Sequence, residues 1–433
     1  MQLRSLVFRA IALISTLRFK PTLSDDAHKN GSNGERCLPF TKNNRWLLGE
    51  TIIGGLCNQL FGVYSVIPTA RFLNADGVVV GPMHSRFDNY EIDYKEVQKK
   101  HRSVQFSSFF DWSHFSRYWA IRNITVIELH NVVNCLPAAD VVIQRNRFYS
   151  FDDAGIAELA KKSGHPLPLP PPPTTSSSSS SIQLIRFESI WKMQSFYNNW
   201  QSPQHLDRLI EFHHSLRPHP HIRHIVAKIL AALPARFWAA HIRLEGDAVL
   251  YHPNTGDKDF QTALPLHMNK IQSSQCVQDY NKLNRLPSTS DAITSSNNTL
   301  TYPILFVASG LFQSAAEDKN KENKDREMKS FSQLRLQAVI QQLRDMGFAR
   351  IESRHGFMTK NSRSDADISF KMTPDQWALV DLEVAKRAEC FISSYYSSSF
   401  SYTIARQRQM QKGMLVEADR LDVPTDEFLI WGY

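Results

Sequence analysis

The chain lacks most of the marks that would settle its class at a glance. Its 433 residues include only five cysteines, Cys37, Cys57, Cys135, Cys276 and Cys390, and no two stand in a CxxC spacing. That excludes a zinc ribbon, and the odd count leaves room for one or two disulfides with at least one thiol over. No apolar run near the N-terminus has the length of an ordinary membrane span, since Leu6 to Leu17 is short and broken by Arg9. No acid precedes Asp25, while Arg4, Arg9 and Arg18 are present. Such a segment is compatible with a poor signal peptide, a signal anchor giving membrane attachment, or an organelle presequence. The net charge is +8 with an isoelectric point near 9.1, but no basic stripe interleaved with aromatics accompanies it. Nucleic-acid binding therefore loses its usual footing, and the excess favours anionic ligands such as a nucleotide diphosphate. His213, His214, His219, His221 and His224 have no acid or cysteine among them to complete a ligand set, so they read as solvated or capping.

What is present points to a globular enzyme-sized chain. A hydrophobic fraction of 42% and an aromatic fraction of 11% support real cores, and the length exceeds what one core usually holds. Two domains are expected, 45–234 and 235–433, after a polar lead over 1–44. The segment Trp46 to Ile53 is strand-like and runs into Gly54 and Gly55. A helix is expected from about Cys57 to Phe72, with Pro68 as a kink, then a turn at Asn74 to Gly77 and a strand at Val78 to Val80. Strand, glycine turn, helix, strand is half of a nucleotide-binding type α/β unit.

Further along, Ile124 to Leu129 reads as a strand, while 85–115 shows no clear period. The Pro- and Ser-rich tract 165–181 reads as a surface insertion. Ile222 to Leu233 has apolar residues at helical spacing, and Pro303 to Ala308 reads as a buried parallel-type strand. Residues 273–301 and 317–329 look like loops or solvated faces, followed by a helix near Leu334 to Met346 and a strand near Phe348 to Glu352. The expected architecture is α/β, with two such domains facing a cleft.

Three segments carry chemistry. In Ala240 to Asp247, AHIRLEGD, a histidine, an arginine and two carboxylates follow a short apolar strand. In an extended chain His241 and Arg243 share one face, with Ile242 and Leu244 on the other. Arg243 suits a phosphate partner, though a salt bridge to Glu245 or Asp247 satisfies it equally well. In GGLCNQ, paired glycines allow a backbone to approach a ligand, and Asn58 and Gln59 serve either as helix caps or as hydrogen-bonding groups for a substrate. The third begins at Thr373-Pro-Asp-Gln, whose residues are in the order of a capping box with proline in the first turn. On the helix it opens, Asp381 lies on the apolar stripe and needs a partner, either a buried cation or a ligand's hydroxyls and amides. A strand at Cys390 to Ile392, the serine-rich Ser393 to Ser401 and a helix from about Tyr402 follow. Serines at a helix start bring hydroxyls and unpaired N–H groups to one point, which is a phosphate cradle.

Taken together, GGLCNQ, HIRLEGD and VDLEVAKRAECFISSYYSSSFS resemble the motifs of the protein O-fucosyltransferase family. The resemblance implies a GT-B type fold of two Rossmann-like domains and transfer of fucose from GDP-fucose to a protein hydroxyl with inversion. A glycan acceptor or a non-catalytic GDP- or glycan-binding relative are the alternatives. It implies that Arg243 holds the β-phosphate, that Asn58 faces the acceptor, and that Glu245 is a candidate base. Gly54, Gly55, Gln59, His241, Asp247, Asp381, Ser398, Ser399 and Phe400 are the implied substrate-binding residues. The family needs no metal, so GDP-fucose is the expected donor substrate and no cofactor is expected. The sequons at Asn30, Asn123 and Asn297 are compatible with a lumenal site in the endoplasmic reticulum or Golgi.

Overall fold

The computed structural model describes residues 45–49, 55–86, 101–136, 139, 141–144, 153–162, 164, 183–188, 203–244, 260–285, 302–310, 312, 326–361, 372–393 and 398–412. The first half comprises β1 (Arg45–Gly49), α1 (Leu56–Phe72), β2 (Gly77–Val80), β3 (Met83–Arg86), β4 (His101–Val104), α2 (Trp112–Ala120), β5 (Thr125–Glu128), β6 (Val141–Gln144), α3 (Asp153–Lys162), β7 (Gln183–Glu188), α4 (Pro203–Ser215) and α5 (Pro220–Ala232). The second comprises β8 (Trp238–His241), α6 (Phe260–Gln272), α7 (Gln275–Arg285), β9 (Leu305–Ala308), α8 (Arg326–Asp345), β10 (Ile351–Glu352), α9 (Arg354–Asn361), α10 (Pro374–Ala385), β11 (Cys390–Ser393) and α11 (Ser399–Lys412).

The strands form one sheet in the order β5-β2-β1-β7-β6 and another in the order β10-β9-β8-β11, with every neighbouring pair parallel. Strands β3 and β4 pair antiparallel as a separate ribbon. Parallel strands are covered on both faces, so they are built from continuous apolar runs. The segments GVVV of β2, WAAH of β8 and LFVA of β9 are such runs and are buried throughout. The expected α/β architecture of two Rossmann-like sheets is the one observed.

Strand order fixes where a ligand can enter. In the first sheet the chain leaves β1 for β2 and β5 on one side, and places β6 and β7 on the other. In the second it leaves β8 for β9 and β10 on one side and places β11 on the other. Ligands in open α/β sheets bind outside the carboxyl ends of the strands at such reversals. His241 is in register with Ala308 of β9 and Ser393 of β11, so three strands end at one edge there.

Alternation along each strand divides the interior. Ala239 and Phe391 face a core that also holds Leu47, Tyr64, Ile225 and Leu379, and so runs from the first sheet through α1, α5 and α10 to the second. Trp238, Ala240 and Ile392 face the opposite side, against Leu264 of α6 and Val339 of α8. Gly49, where β1 ends, lets α1 lie close: a Cβ there would stand 2.4 Å from Val66 Cγ2.

Several expected boundaries shift. The strand at Trp46 ends at Gly49, and 50–54 lie outside the described residues, as do the Pro/Ser tract and the N-terminal lead. Helix α1 continues through Pro68. The region without a clear period contains β3, β4 and α2, which are short elements whose packing outweighs their pattern. Residues 275–285, expected as loop, form α7, where Cys276, Val277 and Tyr280 turn inward on one side of an otherwise polar helix. A disulfide joins Cys276 to Cys390, tying α7 to β11. Cys135 is also disulfide-bonded, and Cys57 is a buried free thiol. Among the described residues no helix is long and apolar enough to cross a membrane.

Candidate active site

At the end of β8 the alternation expected from the sequence holds. Ile242 and Leu244 are fully buried in the outer core, whereas Arg243 is half-buried. The ladder extends one residue past the strand, with the Ile242 N–H donating to Ala308 O at 3.1 Å, so Arg243 leaves a backbone that is still held by the sheet. His241 is 7% exposed; its Nδ1 lies 2.7 Å from Ser401 Oγ, and its ring packs on Phe400 with centroids 4.8 Å apart. Burial, with the nearby Arg243 and His267, lowers its pKa to about 3, so the imidazole is neutral in the folded protein. His267 of α6, which the sequence reading passed over, is lowered to about 4 by burial.

Helix α11 starts where those side chains end. Ser398 is buried, and its hydroxyl accepts from the Ser401 N–H at 3.5 Å as an N-cap. The Ser399 carbonyl accepts from Thr403 Oγ1 at 2.8 Å. Ser399 and Phe400 are half-buried. The first turn of α1 packs against this helix: Cys57 hydrogen-bonds Thr403, and the Phe61 and Tyr402 rings lie 6.4 Å apart. Burial pushes the Cys57 thiol up to about 12, with Asp375 adding to the rise and Thr403 opposing it. Cys57 is thus an inert packing residue between the two halves.

Gly55 is the N-cap of α1, in extended backbone and with no side-chain cap. Its carbonyl accepts from the Asn58 N–H at 2.9 Å, and Asn58 is half-buried. Gln59 is placed differently from the expectation that it meets substrate. It is fully buried, its Nε2 donates to His84 O at 2.7 Å, and its Oε1 accepts from the His84 N–H at 2.6 Å. Both ends of the amide are engaged with the backbone of β3, which an isolated helix pattern could not reveal.

The third segment starts with the complete capping box expected at Thr373 and Gln376. Gln376 also donates to Ser108 O at 2.9 Å, and Asp375 accepts from Ser85 Oγ at 3.1 Å, so the helix start is anchored to the first half. Asp381 is 4% exposed and forms an ion pair with Arg354, itself 4% exposed. Of the two partners open to Asp381 in the sequence, the buried cation is the one found. Arg354 was missed because it follows the two-residue strand β10; the only signal was a basic residue two positions past the end of a strand, as at Arg243.

Gly54, Glu245 and Asp247 lie outside the described residues. Among the described residues no group of histidine, cysteine or carboxylate side chains could hold a metal ion. Of the histidine group expected to be solvated or capping, His219 does cap α5, its Nδ1 accepting from the His221 N–H at 3.3 Å. His213 departs from that expectation: it is half-buried, its pKa is lowered to about 3 chiefly by desolvation, and its Nδ1 lies 2.9 Å from Gln407 Nε2.

No curated protein matches the chain in sequence. Among solved structures, POFUT1 in complex with GDP-fucose is similar at 11% identity and a TM-score of 0.43, over 87% of this chain and 96% of that one. The fucosyltransferase NodZ from Bradyrhizobium is similar at 13% identity and a TM-score of 0.40, over 84% and 93%. At such scores neither likeness adds to the assignment. Residues 46–411, by contrast, match the family described as GDP-fucose protein O-fucosyltransferase, which spans most of the chain and all the described site. The chain belongs to the GDP-fucose protein O-fucosyltransferase family, and its coarse activity, fucosyl transfer from GDP-fucose, follows from that membership.

Proposed function

We propose that the protein transfers fucose from GDP-fucose to a serine or threonine hydroxyl of a protein, with inversion at the anomeric carbon and without a metal ion. The observation that supports this most is the convergence of three segments: the starts of α1 and α11 pack together through Cys57 and Thr403, and the end of β8 joins them through His241 and Ser401. As the bond from the sugar to the β-phosphate weakens, negative charge collects on the departing diphosphate. Arg243, on backbone held by the sheet just past the end of β8, stabilises that charge. A fixed guanidinium performs the electrostatic part of the task that a metal ion performs elsewhere.

Asn58, on the α1 side, orients the incoming hydroxyl. Inversion requires that hydroxyl to attack the face of the sugar opposite the departing diphosphate. Glu245 is the candidate base, and Asp247 holds the nucleoside. The Cys276–Cys390 disulfide fits folding in an oxidising compartment such as the endoplasmic reticulum or Golgi lumen.

The test is release of GDP from GDP-fucose by the purified protein, with and without EDTA, using folded serine- and threonine-bearing protein domains and free glycans as acceptors. Acceptor-dependent release with protein domains that survives EDTA is expected. Transfer to glycans alone would replace the acceptor class, GDP binding without transfer to either class would mark a non-catalytic relative, and loss in EDTA would remove metal independence.

A further inference from the structure

We propose that Asn123 carries an N-linked oligosaccharide that covers the exposed Ile121 and the open edge of β5. The proposal rests on the lumenal reading given above. Of the three sequons, Asn123-Ile124-Thr125 is the one that lies within the described residues. Its asparagine has a structural task. Helix α2 ends in a turn in which the Ile124 N–H donates to Trp119 O at 3.1 Å and the Asn123 N–H to Ala120 O at 3.0 Å, with Asn123 at a φ of 61°. That is a Schellman closure, whose left-handed residue is usually glycine and sometimes asparagine. Trp119 and Ile124 are buried in the core beneath it.

Asn74 closes α1 in the same way, with a φ of 51° and the Ala75 N–H donating to Ala70 O at 2.8 Å. There the residue two further on is Asp76, whose carboxylate accepts from the Arg45 N–H at 2.7 Å. At the end of α2 it is Thr125, which is exposed and makes no side-chain hydrogen bond among the described residues. The turn thus accounts for the asparagine and leaves a hydroxyl two residues on, the pairing that N-glycosylation requires. The surroundings suit a glycan. Asn123 is exposed, and Ile121, two residues away, is 74% exposed, more than any other large apolar side chain among the described residues. Strand β5 ends its sheet, so its outer N–H and C=O groups lack a strand partner. An open edge beside an apolar residue invites pairing with another chain, and a bulky hydrated group at the turn blocks that approach. In the transfer, Asn123 Nδ2 bonds to the anomeric carbon of an oligosaccharide carried on a lipid diphosphate. The carbon–oxygen bond to the diphosphate breaks with its electron pair, and the amide gives up one proton.

The test is expression of the full-length chain in cultured eukaryotic cells, once with its own N-terminus and once behind a cleavable secretory signal. Enzymatic release of an N-glycan turns its asparagine into aspartate, which peptide mass spectrometry locates; undigested protein controls for spontaneous deamidation. Protein made behind the secretory signal should show that conversion at Asn123 and lose it in Thr125→Ala and in Asn123→Gly. Glycine keeps the left-handed turn, so Asn123→Gly should fold, yet aggregate several-fold faster on warming, and adding Ile121→Lys should reverse this. An unmodified Asn123 behind the secretory signal overturns the proposal. Equal aggregation of the glycosylated wild type and Asn123→Gly, or no rescue by Ile121→Lys, overturns the covering role. If Asn123 is modified behind the secretory signal but unmodified with the chain's own N-terminus, the lumenal reading fails while the site stands.

Discussion

Two helices open onto the candidate site, and their first turns are built from opposite materials. Helix α1 begins at Gly55 with no side-chain cap and no acid in its first turn. Helix α11 begins with serines, one of them capping, beside a buried, neutral histidine. The first presents little but backbone and an amide, the second a concentration of hydroxyl and N–H donors. A neutral hydroxyl acceptor suits the first and a diphosphate the second. Helix α10 supplies the control: its start is closed on itself by a full capping box and tied to Ser108 and Ser85, so it holds the two halves together and offers little to a ligand. Burial sorts the residues the same way. Gln59, His241, Asp381 and Ser398 are buried, whereas Arg243, Ser399, Asn58 and Gly55 retain exposure.

The sharpest way to break the contrast is at Arg243. Arg243→Ala should lower fucosyl transfer by about 100- to 1,000-fold with the melting temperature unchanged, as expected when a group that stabilises transition-state charge is removed. A loss in melting temperature that parallels the loss in rate would make Arg243 structural. Next comes the buried pair. Arg354→Met leaves the Asp381 carboxylate uncompensated and should cost about 3–5 kcal/mol in urea denaturation. If the protein stays as stable as the wild type, the pair is not what ties α9 to α10.

Acid should loosen the fold more gradually. His213, His241 and His267 have pKa values lowered to about 3, about 3 and about 4 from the usual 6.5. Because the unfolded chain then binds more protons than the folded one, stability is complete above pH 6.5 and falls as pH drops towards 4. The slope should be on the order of 1 kcal/mol per pH unit for each histidine. Thermal melts that stay flat over that window would show these imidazoles to be hydrated or already charged.

Gln59→Leu removes both partners of the His84 backbone and should cost about 1–3 kcal/mol while leaving GDP affinity intact. Loss of GDP affinity without loss of stability would return Gln59 to the ligand-binding set. The smallest effect belongs to Gly55→Ala. A Cβ there meets nothing within 4 Å, so stability should change by less than about 0.5 kcal/mol. A weakened acceptor KM in that variant would then report the close approach of a ligand to the backbone.

Much of this contrast was legible in the chain, and the legible parts share a physical reason. The capping box at Thr373, the buried runs of β2, β8 and β9, and the alternation of His241, Ile242, Arg243 and Leu244 are local rules read at fixed spacing. Where the pattern was weak, tertiary contacts decided. Helix α7 has a polar composition and is held by three inward residues and a disulfide, and β3 carries few pattern cues but pairs with β4 and is secured by Gln59.

The sequence by itself determined the α/β class, the order of most strands and helices along the chain, and the three segments where chemistry concentrates, because each depends on neighbours within a few residues. Only the tertiary structure decided that Asp381 faces Arg354, that Gln59 serves β3, and that Ser401 reaches His241 across 160 residues of chain. Those outcomes depend on which distant elements the long crossovers of the parallel sheets bring together.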